Sequence, residues 1–174
     1  MRKTALVIIN QHTAKQKLKN ELLDVLDVFT GGGYDCFVRP TQSAGDAKSY
    51  VGRNASSYEL LVCVGGDGTL NEVVSGLNDI PAEKRPPVGY IPAGTTNDFA
   101  ASIGLPNEPV AAARRILETP PRKMDCGRIG ERIFCYIASF GAFTDVSYET
   151  PQPLKNIFGH FAYILEGASR LGDI

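Results

Sequence analysis

Long apolar stretches and strong charge are both absent from this sequence of 174 residues. No run approaches the roughly 18 consecutive apolar residues of a membrane-spanning helix. The apolar run near the N-terminus is too short for the core of a signal peptide plus a cleavage site. Lysine and arginine number 18 against 19 for aspartate and glutamate, and the resulting net charge of −1 argues neither for nor against an acidic polymer as partner. We expect no nucleic-acid partner.

Paired cysteine motifs are absent as well. The four cysteines, Cys36, Cys63, Cys126 and Cys135, contain no CxxC spacing, which argues against a zinc site or a disulfide framework. Cys36 and Cys63 lie inside apolar runs and are expected to be buried thiols. This pattern is typical of a reducing compartment, so we expect a cytoplasmic protein.

Apolar runs and helical patterns alternate along the first two thirds of the chain. The β-branched run at 4–10 is typical of a buried parallel strand, and further strands are predicted at 34–40, 59–66 and 87–94. The helical segments are predicted at 18–29, 45–54, 69–77, 96–104 and 109–118. The third helix shows the pattern of a capping box, Thr69 followed by Glu72. Such alternation predicts an α/β fold, a parallel sheet with helices on both faces.

The composition changes after residues 119–123. Residues 124–149 contain β-rich runs with a turn at 129–132, and an apolar helix is predicted near 159–171. We therefore expect an α/β domain over 1–122 and the beginning of a second, β-rich domain over 123–174.

A glycine-rich turn follows the third predicted strand, in LVCVGGDGTLNEVVSG (61–76), where three glycines surround Asp67. Glycines at a helix N-terminus let a phosphate approach the backbone closely. No P-loop lysine follows, so the Walker motif is excluded. Asp67 would then bridge a divalent cation to the phosphates, or it would accept hydrogen bonds from turn amides and hold the turn in shape.

A second polar turn follows the fourth predicted strand, in YIPAGTTNDFA (90–100). Asn97 or Thr96 as a helix N-cap is the simplest interpretation of this turn alone. Because parallel strands end on one rim of the sheet, both turns are expected to face one crevice, together with Asn10 and Thr41.

The two turns together, GGDGTLNEVVSGL and GYIPAGTTNDFAASIGLP, resemble those of the bacterial diacylglycerol kinases, soluble lipid kinases related to sphingosine and ceramide kinases. The later stretch beginning DCGRIGERIFCYIASF resembles the start of that family's second domain. GGDGT alone is shared with NAD kinases and 6-phosphofructokinases, whereas the second turn is not. The resemblance implies an α/β nucleotide-binding domain followed by a β-sandwich, with ATP and Mg²⁺ between them. It also implies transfer of the γ-phosphate to diacylglycerol or a related lipid alcohol, a step of phospholipid biosynthesis.

The resemblance implies roles for individual residues. Asp67 would be the essential acid and the metal ligand, and Asp98 and Asp125 match family acids near the acceptor and in an interdomain hydrogen-bond network. Nucleotide contacts are implied for Asn10, Gln11, His12, Thr13, Ala14, Thr41, Gly66, Asp67, Gly68, Thr69, Leu70, Asn71, Glu72 and Thr95. The segment 10–14 departs from the family's NPxSG pattern. The family's general base would lie beyond Ile174, so residues 1–174 alone are expected to be inactive.

Two other functions stay open: phosphoryl transfer to a soluble nucleotide, as in NAD kinases, and a non-catalytic module that binds nucleotide or lipid. The basic residues Arg114, Arg115, Arg122 and Lys123 are expected to form a solvated helix face and linker. The alternative is contact with anionic lipid headgroups, which would place the protein peripherally at the inner membrane face. An exposed strand edge in the second domain would favour a homodimer.

Overall fold

The computed structural model describes residues 2–11, 18 and 20–137. Its central sheet has four parallel strands, β1 (Lys3–Ile9), β2 (Tyr34–Pro40), β3 (Leu60–Gly65) and β4 (Val88–Pro92). Their order is β2-β1-β3-β4, so β1 and β3 are the inner strands. Every residue of β3 is buried, as expected of a strand covered on both faces.

Five α-helices cover the sheet within the described residues. They are α1 (Leu22–Gly31), α2 (Asp46–Asn54), α3 (Asp67–Asn78), α4 (Asp98–Ser102) and α5 (Pro109–Glu118). The helix α1 ends at Gly31 and is followed by Gly32 and Gly33, and Gly33 has a φ of +88°, which favours glycine. None of the helices in these ranges is long and apolar enough to cross a bilayer.

The hydrophobic core consists of two clusters, one on each face of the sheet. Val7 and Val62 point to the first cluster, where they pack with residues of α1 and α5 such as Phe29. Leu6 and Cys63 point to the second, which contains residues of α2, α3 and α4. The alternation follows from the period of two along a strand. The predicted α/β fold, a parallel sheet with helices on both faces, is confirmed.

A short antiparallel hairpin follows α5. Strands β5 (Gly127–Ile129) and β6 (Arg132–Phe134) are joined by a two-residue turn, in which Gly130 has a φ of +57°. The predicted turn at 129–132 is therefore confirmed, and an antiparallel pair at this point agrees with the start of a β-sandwich. The contacts join the described residues up to Tyr136 into one compact unit. The boundary at 119–123 stays a prediction, and the apolar helix near 159–171 lies outside the described residues.

Candidate functional site

The two polar turns meet at the carboxyl ends of β3 and β4. Gly66 lies between the end of β3 and the start of α3, in an extended conformation. A Cβ atom added to Gly94 would lie 2.5 Å from the Gly66 Cα atom. The two backbones are therefore in contact and leave no space for a side chain at Gly94. The Ala93 amide also donates to the Gly65 carbonyl oxygen at 2.8 Å. The two turns therefore form one continuous surface, at the predicted rim.

The Asp67 carboxylate links the first turn to the helix that follows the second. Its Oδ2 atom accepts a hydrogen bond from the Asp98 amide at 3.0 Å, and its Oδ1 atom accepts one from the Phe99 amide at 3.2 Å. These are the first two amides of α4, which α4 itself cannot satisfy. Asp67 thus caps α4 from another turn, and its negative charge lies at the positive end of the helix.

Asn97 holds its own turn instead of capping α4. It has a φ of +56° and is only 3% exposed. Its Oδ1 atom accepts from the Gly94 amide and its Nδ2 atom donates to the Gly94 carbonyl oxygen, both at 2.9 Å. Asn97 is at the N-cap position, as one of the two predicted candidates, but its side chain makes no cap hydrogen bond to α4. Asparagine is one of the few residues that tolerate this left-handed conformation.

The predicted capping box is also wrong. The helix α3 begins at Asp67, two residues earlier than predicted, so Thr69 lies inside its first turn. The Thr69 Oγ1 atom accepts from the Asn10 Nδ2 atom at 3.0 Å. The Glu72 Oε1 atom accepts from the Gly45 amide at 2.9 Å. Both side chains therefore bond to distant segments instead of to the start of their own helix.

The ends of β1 and β2 are tied to the same rim. The Thr41 amide donates to the Ile9 carbonyl oxygen at 2.8 Å, and the Gln11 Nε2 atom donates to the Thr41 carbonyl oxygen at 3.1 Å. With the bond from Asn10 to Thr69, these contacts join the ends of β1 and β2 to the start of α3. Four predicted nucleotide-contact residues are thereby brought together. The other predicted residues of this segment, His12, Thr13 and Ala14, lie outside the described residues.

The first turn of α3 is open toward solvent. Its first intrahelical hydrogen bond runs from the Leu70 amide to the Gly66 carbonyl oxygen, so the amides of residues 67–69 have no carbonyl partner within the helix. Gly68 is exposed, and a Cβ atom added there would have no neighbour within 4 Å. Backbone amides at the positive end of a helix can accept an anion. Thr95 is exposed on the second turn, whereas the Leu70 side chain is buried in the core.

The described carboxylates near the rim do not form a metal-binding cluster. Within residues 2–11, 18 and 20–137, no three His, Cys, Asp or Glu side chains lie close enough together to hold a metal ion. Asp98 is exposed at the start of α4, and Asp125 is exposed just before β5. Asn71 and Glu72 are half-buried on α3.

Side chains with raised pKa values lie beneath the rim. Burial raises the pKa of Tyr90, and the charge of Asp67 adds to the shift. The Tyr90 hydroxyl lies 3.5 Å from the Asn97 Oδ1 atom. Burial also raises the pKa of the Cys63 thiol in β3, so these groups stay neutral under the turns.

Comparison with known proteins places this geometry in a family. The sequence-family model of the diacylglycerol kinase catalytic domain matches residues 4–129 of this chain. A diacylglycerol kinase of Staphylococcus aureus (strain bovine RF122 / ET3-1) is 41% identical over 172 residues, which is 98% of this chain. The chain belongs to the diacylglycerol kinase family. The resemblance predicted from the two turns is thereby confirmed.

Other diacylglycerol kinases are similar to this chain in sequence and in fold. A diacylglycerol kinase of Staphylococcus aureus (strain MRSA252) is also 41% identical over 98% of this chain. A diacylglycerol kinase crystal structure from Bacillus anthracis str. Sterne has a TM-score of 0.68 and 30% identity, covering 76% of this chain and 46% of that one. This chain covers 54% of each Staphylococcus kinase, so it spans about half the length of these relatives.

Sequence reasoning left two structural residues out of the proposed site. Gly94 and Asn97 shape the second turn through the close approach to Gly66 and the paired hydrogen bonds described above. Neither was assigned a ligand contact. A glycine three residues before an asparagine is a signal for such a turn, because asparagine accepts hydrogen bonds from nearby amides and tolerates positive φ.

Proposed function

We propose that the whole protein is an ATP- and Mg²⁺-dependent lipid kinase, which transfers the γ-phosphate to the hydroxyl of diacylglycerol or a related lipid alcohol. Family membership supports the reaction class, since the relatives compared above are named diacylglycerol kinases. The observation that carries the proposal is the open first turn of α3, held against the second turn through Asp67.

The triphosphate would lie against the first turn of α3. The amides of residues 67–69 have no carbonyl partner within the helix, and a Cβ atom added to the exposed Gly68 would have no neighbour within 4 Å. Fixed amides and a helix dipole stabilise phosphate charge without having to reorganise. Thr69, Asn10, Thr41 and Gln11 would support this surface through their hydrogen bonds, and the exposed Thr95 would contact the nucleotide from the second turn.

The residues at the rim fit a magnesium ion held mainly by the phosphates. Mg²⁺ keeps several waters and uses one or two carboxylates besides phosphate oxygens, so a three-carboxylate cluster is not required. An ionised carboxylate offers about four acceptor positions, and Asp67 uses one on each oxygen for the amides of α4. A position on each oxygen stays available for the ion or its water. The ion would neutralise charge on the transferred phosphate.

Asp98 is the exposed carboxylate at the start of α4, and we place the acceptor hydroxyl on its side of the rim. For Asp125 we propose a role in a hydrogen-bond network with the second domain.

The enzyme would have to act at a membrane surface, because its acceptor is a lipid. The exposed basic residues there would contact anionic headgroups, and they are Arg114, Arg115, Arg122 and Lys123. The homodimer stays a prediction.

The experiment uses the whole protein with vesicles that contain diacylglycerol, Mg²⁺ and ATP labelled in the γ-phosphate. We expect label in the organic extract, lost on chelation of Mg²⁺ and reduced at least 100-fold in Asp67→Asn. The matched control is Asp79→Asn, which makes the same change of charge at the exposed far end of α3 and is expected to retain full activity. Label that stays in the aqueous phase for every lipid alcohol, or that enters NAD instead, would contradict the proposal.

A further inference from the structure

Two cysteines, Cys126 and Cys135, directly adjoin the last paired residues at the open end of the β5–β6 hairpin. The paired residues are Ile129 with Arg132, Arg128 with Ile133, and Gly127 with Phe134. Extending this register by one residue on each strand brings Cys126 opposite Cys135.

The position of this pair along the hairpin suits a disulfide bond. In a hairpin with a two-residue turn, the pair beside the turn is hydrogen-bonded, and bonded and non-bonded pairs then alternate. Counted from Ile129 and Arg132, the pair Cys126–Cys135 falls at a non-bonded position. Cα atoms of such pairs are about 4.5 Å apart, which lies within the roughly 4.4–6.8 Å span of disulfides.

The two thiols differ in their surroundings. Cys126 is exposed, whereas Cys135 is half-buried against the core cluster that contains Cys63. Burial, followed by the charge of Cys126, raises the pKa of Cys135 from 9.0 to about 11. We therefore expect an oxidant to react first with Cys126. Cys135 is then the resolving thiol, which attacks the oxidised Cys126 sulfur.

We propose that Cys126 and Cys135 form a reversible intramolecular disulfide when the protein meets a hydroperoxide. The Cys126 sulfur attacks the peroxide, so that an S–O bond forms, the O–O bond breaks and water leaves when the oxidant is hydrogen peroxide. The Cys135 sulfur then attacks the Cys126 sulfenic acid. The S–S bond forms, the S–O bond breaks, and the oxygen leaves as a second water with the proton of the Cys135 thiol. The two electrons lost by the sulfurs reduce the peroxide, and a dithiol reverses the reaction.

The other two cysteines are poor competitors for this reaction. Cys63 is fully buried in β3, and burial raises the pKa of its thiol. Cys36 packs against the core cluster on the opposite face of the sheet. The disulfide would join the two strands at the end of the hairpin, where β6 contacts α3.

Tryptic peptides report this bond directly. The whole folded protein is treated with hydrogen peroxide, its free thiols are alkylated, and it is digested with trypsin. Cleavage after Arg128 and Arg132 separates the two cysteines, so the disulfide links peptide 124–128 to peptide 133–155. We expect this linked species, two hydrogens lighter than the sum of its parts, and its disappearance after reduction with dithiothreitol.

Serine variants provide the controls. Cys126→Ser and Cys135→Ser should each abolish the linked species, whereas Cys36→Ser should leave its yield unchanged. Oxidation of Cys126 to sulfinic or sulfonic acid without a linked peptide would overturn the proposal. A link to Cys36, to Cys63 or to a second copy of the chain would overturn it as well. The readout is independent of kinase activity, so it separates this proposal from the proposed function.

Discussion

At the scale of single residues, Asp67 presents an electrostatic conflict, because a carboxylate inside a phosphate-binding turn should repel its ligand. The structure places its two oxygens on the Asp98 and Phe99 amides, at the positive end of α4. The residue pattern left two interpretations open: Asp67 bridges a cation to the phosphates, or its carboxylate accepts hydrogen bonds from turn amides. It did not indicate that the amides belong to a helix 31 residues further along the chain, since local spacing carries no information about such a contact.

The substitution Asp67→Asn tests the cap on α4. Asparagine keeps the size of the side chain, but its single carbonyl oxygen can replace only one of the two carboxylate acceptors. We expect the free energy of unfolding to fall by about 1–2 kcal/mol. Hydrogen exchange at the amides of Asp98 and Phe99 should become faster. Denaturant titration and amide exchange of the whole protein measure the two effects.

The control for this prediction is Asp98→Asn. This substitution also removes one negative charge, but from an exposed side chain, and it leaves the Asp98 backbone amide that donates to Asp67 in place. Its effect on stability should stay below about 0.5 kcal/mol, as for most surface substitutions. Equal exchange rates at Phe99 in the Asp67→Asn variant and the unchanged protein would show that the carboxylate does not cap α4.

At the scale of elements, the strands and the helix at 109–118 followed from the sequence, whereas the start of α3 did not. Continuous apolar runs predict buried strands regardless of their partners, as at β3, in which every residue is buried. The edge strand β2 has the predicted bounds, Tyr34–Pro40, although none of its residues is buried. The capping box failed because Thr69 and Glu72 bond to Asn10 and Gly45, which are distant in sequence. Capping patterns are local, so competing partners brought close by the fold cannot be predicted from them.

Two glycines of α3 should respond oppositely to alanine. An added Cβ atom at Gly76 would overlap the Lys48 carbonyl oxygen and lie 3.0 Å from the Val51 Cβ atom, because α2 and α3 are in close contact there. Although alanine favours a helix over glycine by about 1 kcal/mol, we expect Gly76→Ala to lower the free energy of unfolding by about 1–3 kcal/mol. Denaturant titration measures this change.

Gly68→Ala on the same helix is the matched comparison. Its added methyl group meets no atom within 4 Å, so the free energy of unfolding should stay equal or rise, by at most about 1 kcal/mol. If both variants changed stability in the same direction, the close contact at Gly76 would not explain the presence of glycine there.

At the scale of the whole molecule, stability should fall in alkaline solution. Burial raises the pKa values of Cys63 and Tyr90, and it raises the pKa of Cys135 from 9.0 to about 11. Their stabilising contribution is therefore complete below pH 9.0 and is lost as the unfolded chain releases these protons first. Each such group changes the free energy of unfolding by at most about 1.4 kcal/mol per pH unit. Denaturant titrations from neutral pH to about pH 10.5 measure the slope.

The variant Cys63→Ala removes one of these groups, and its free energy of unfolding should decline less steeply with pH above pH 9.0. An identical slope, or a free energy that rises through the alkaline range, would contradict the assignment of these groups to the loss of stability.

The arrangement of the whole domain was largely predictable, and the joining of its turns was not. The alternation of strands and helices predicts the parallel sheet and its common rim, because right-handed crossovers permit few alternatives. The backbone contact between Gly66 and Gly94 depends on how β3 and β4 pair, and no pattern within either turn contains that information.

Binding of MgATP to Gly68→Ala is the most direct test of the claim that phosphates lie against the first turn of α3. Isothermal titration of the whole protein with a non-hydrolysable ATP analogue and Mg²⁺ gives the affinity, and thermal unfolding gives the Tm. We expect the methyl group to weaken binding at least tenfold, or about 1.4 kcal/mol, while the Tm is unchanged or raised. Equal affinity in the variant and the unchanged protein would contradict the account, because the nucleotide would then bind without using the open space above Gly68.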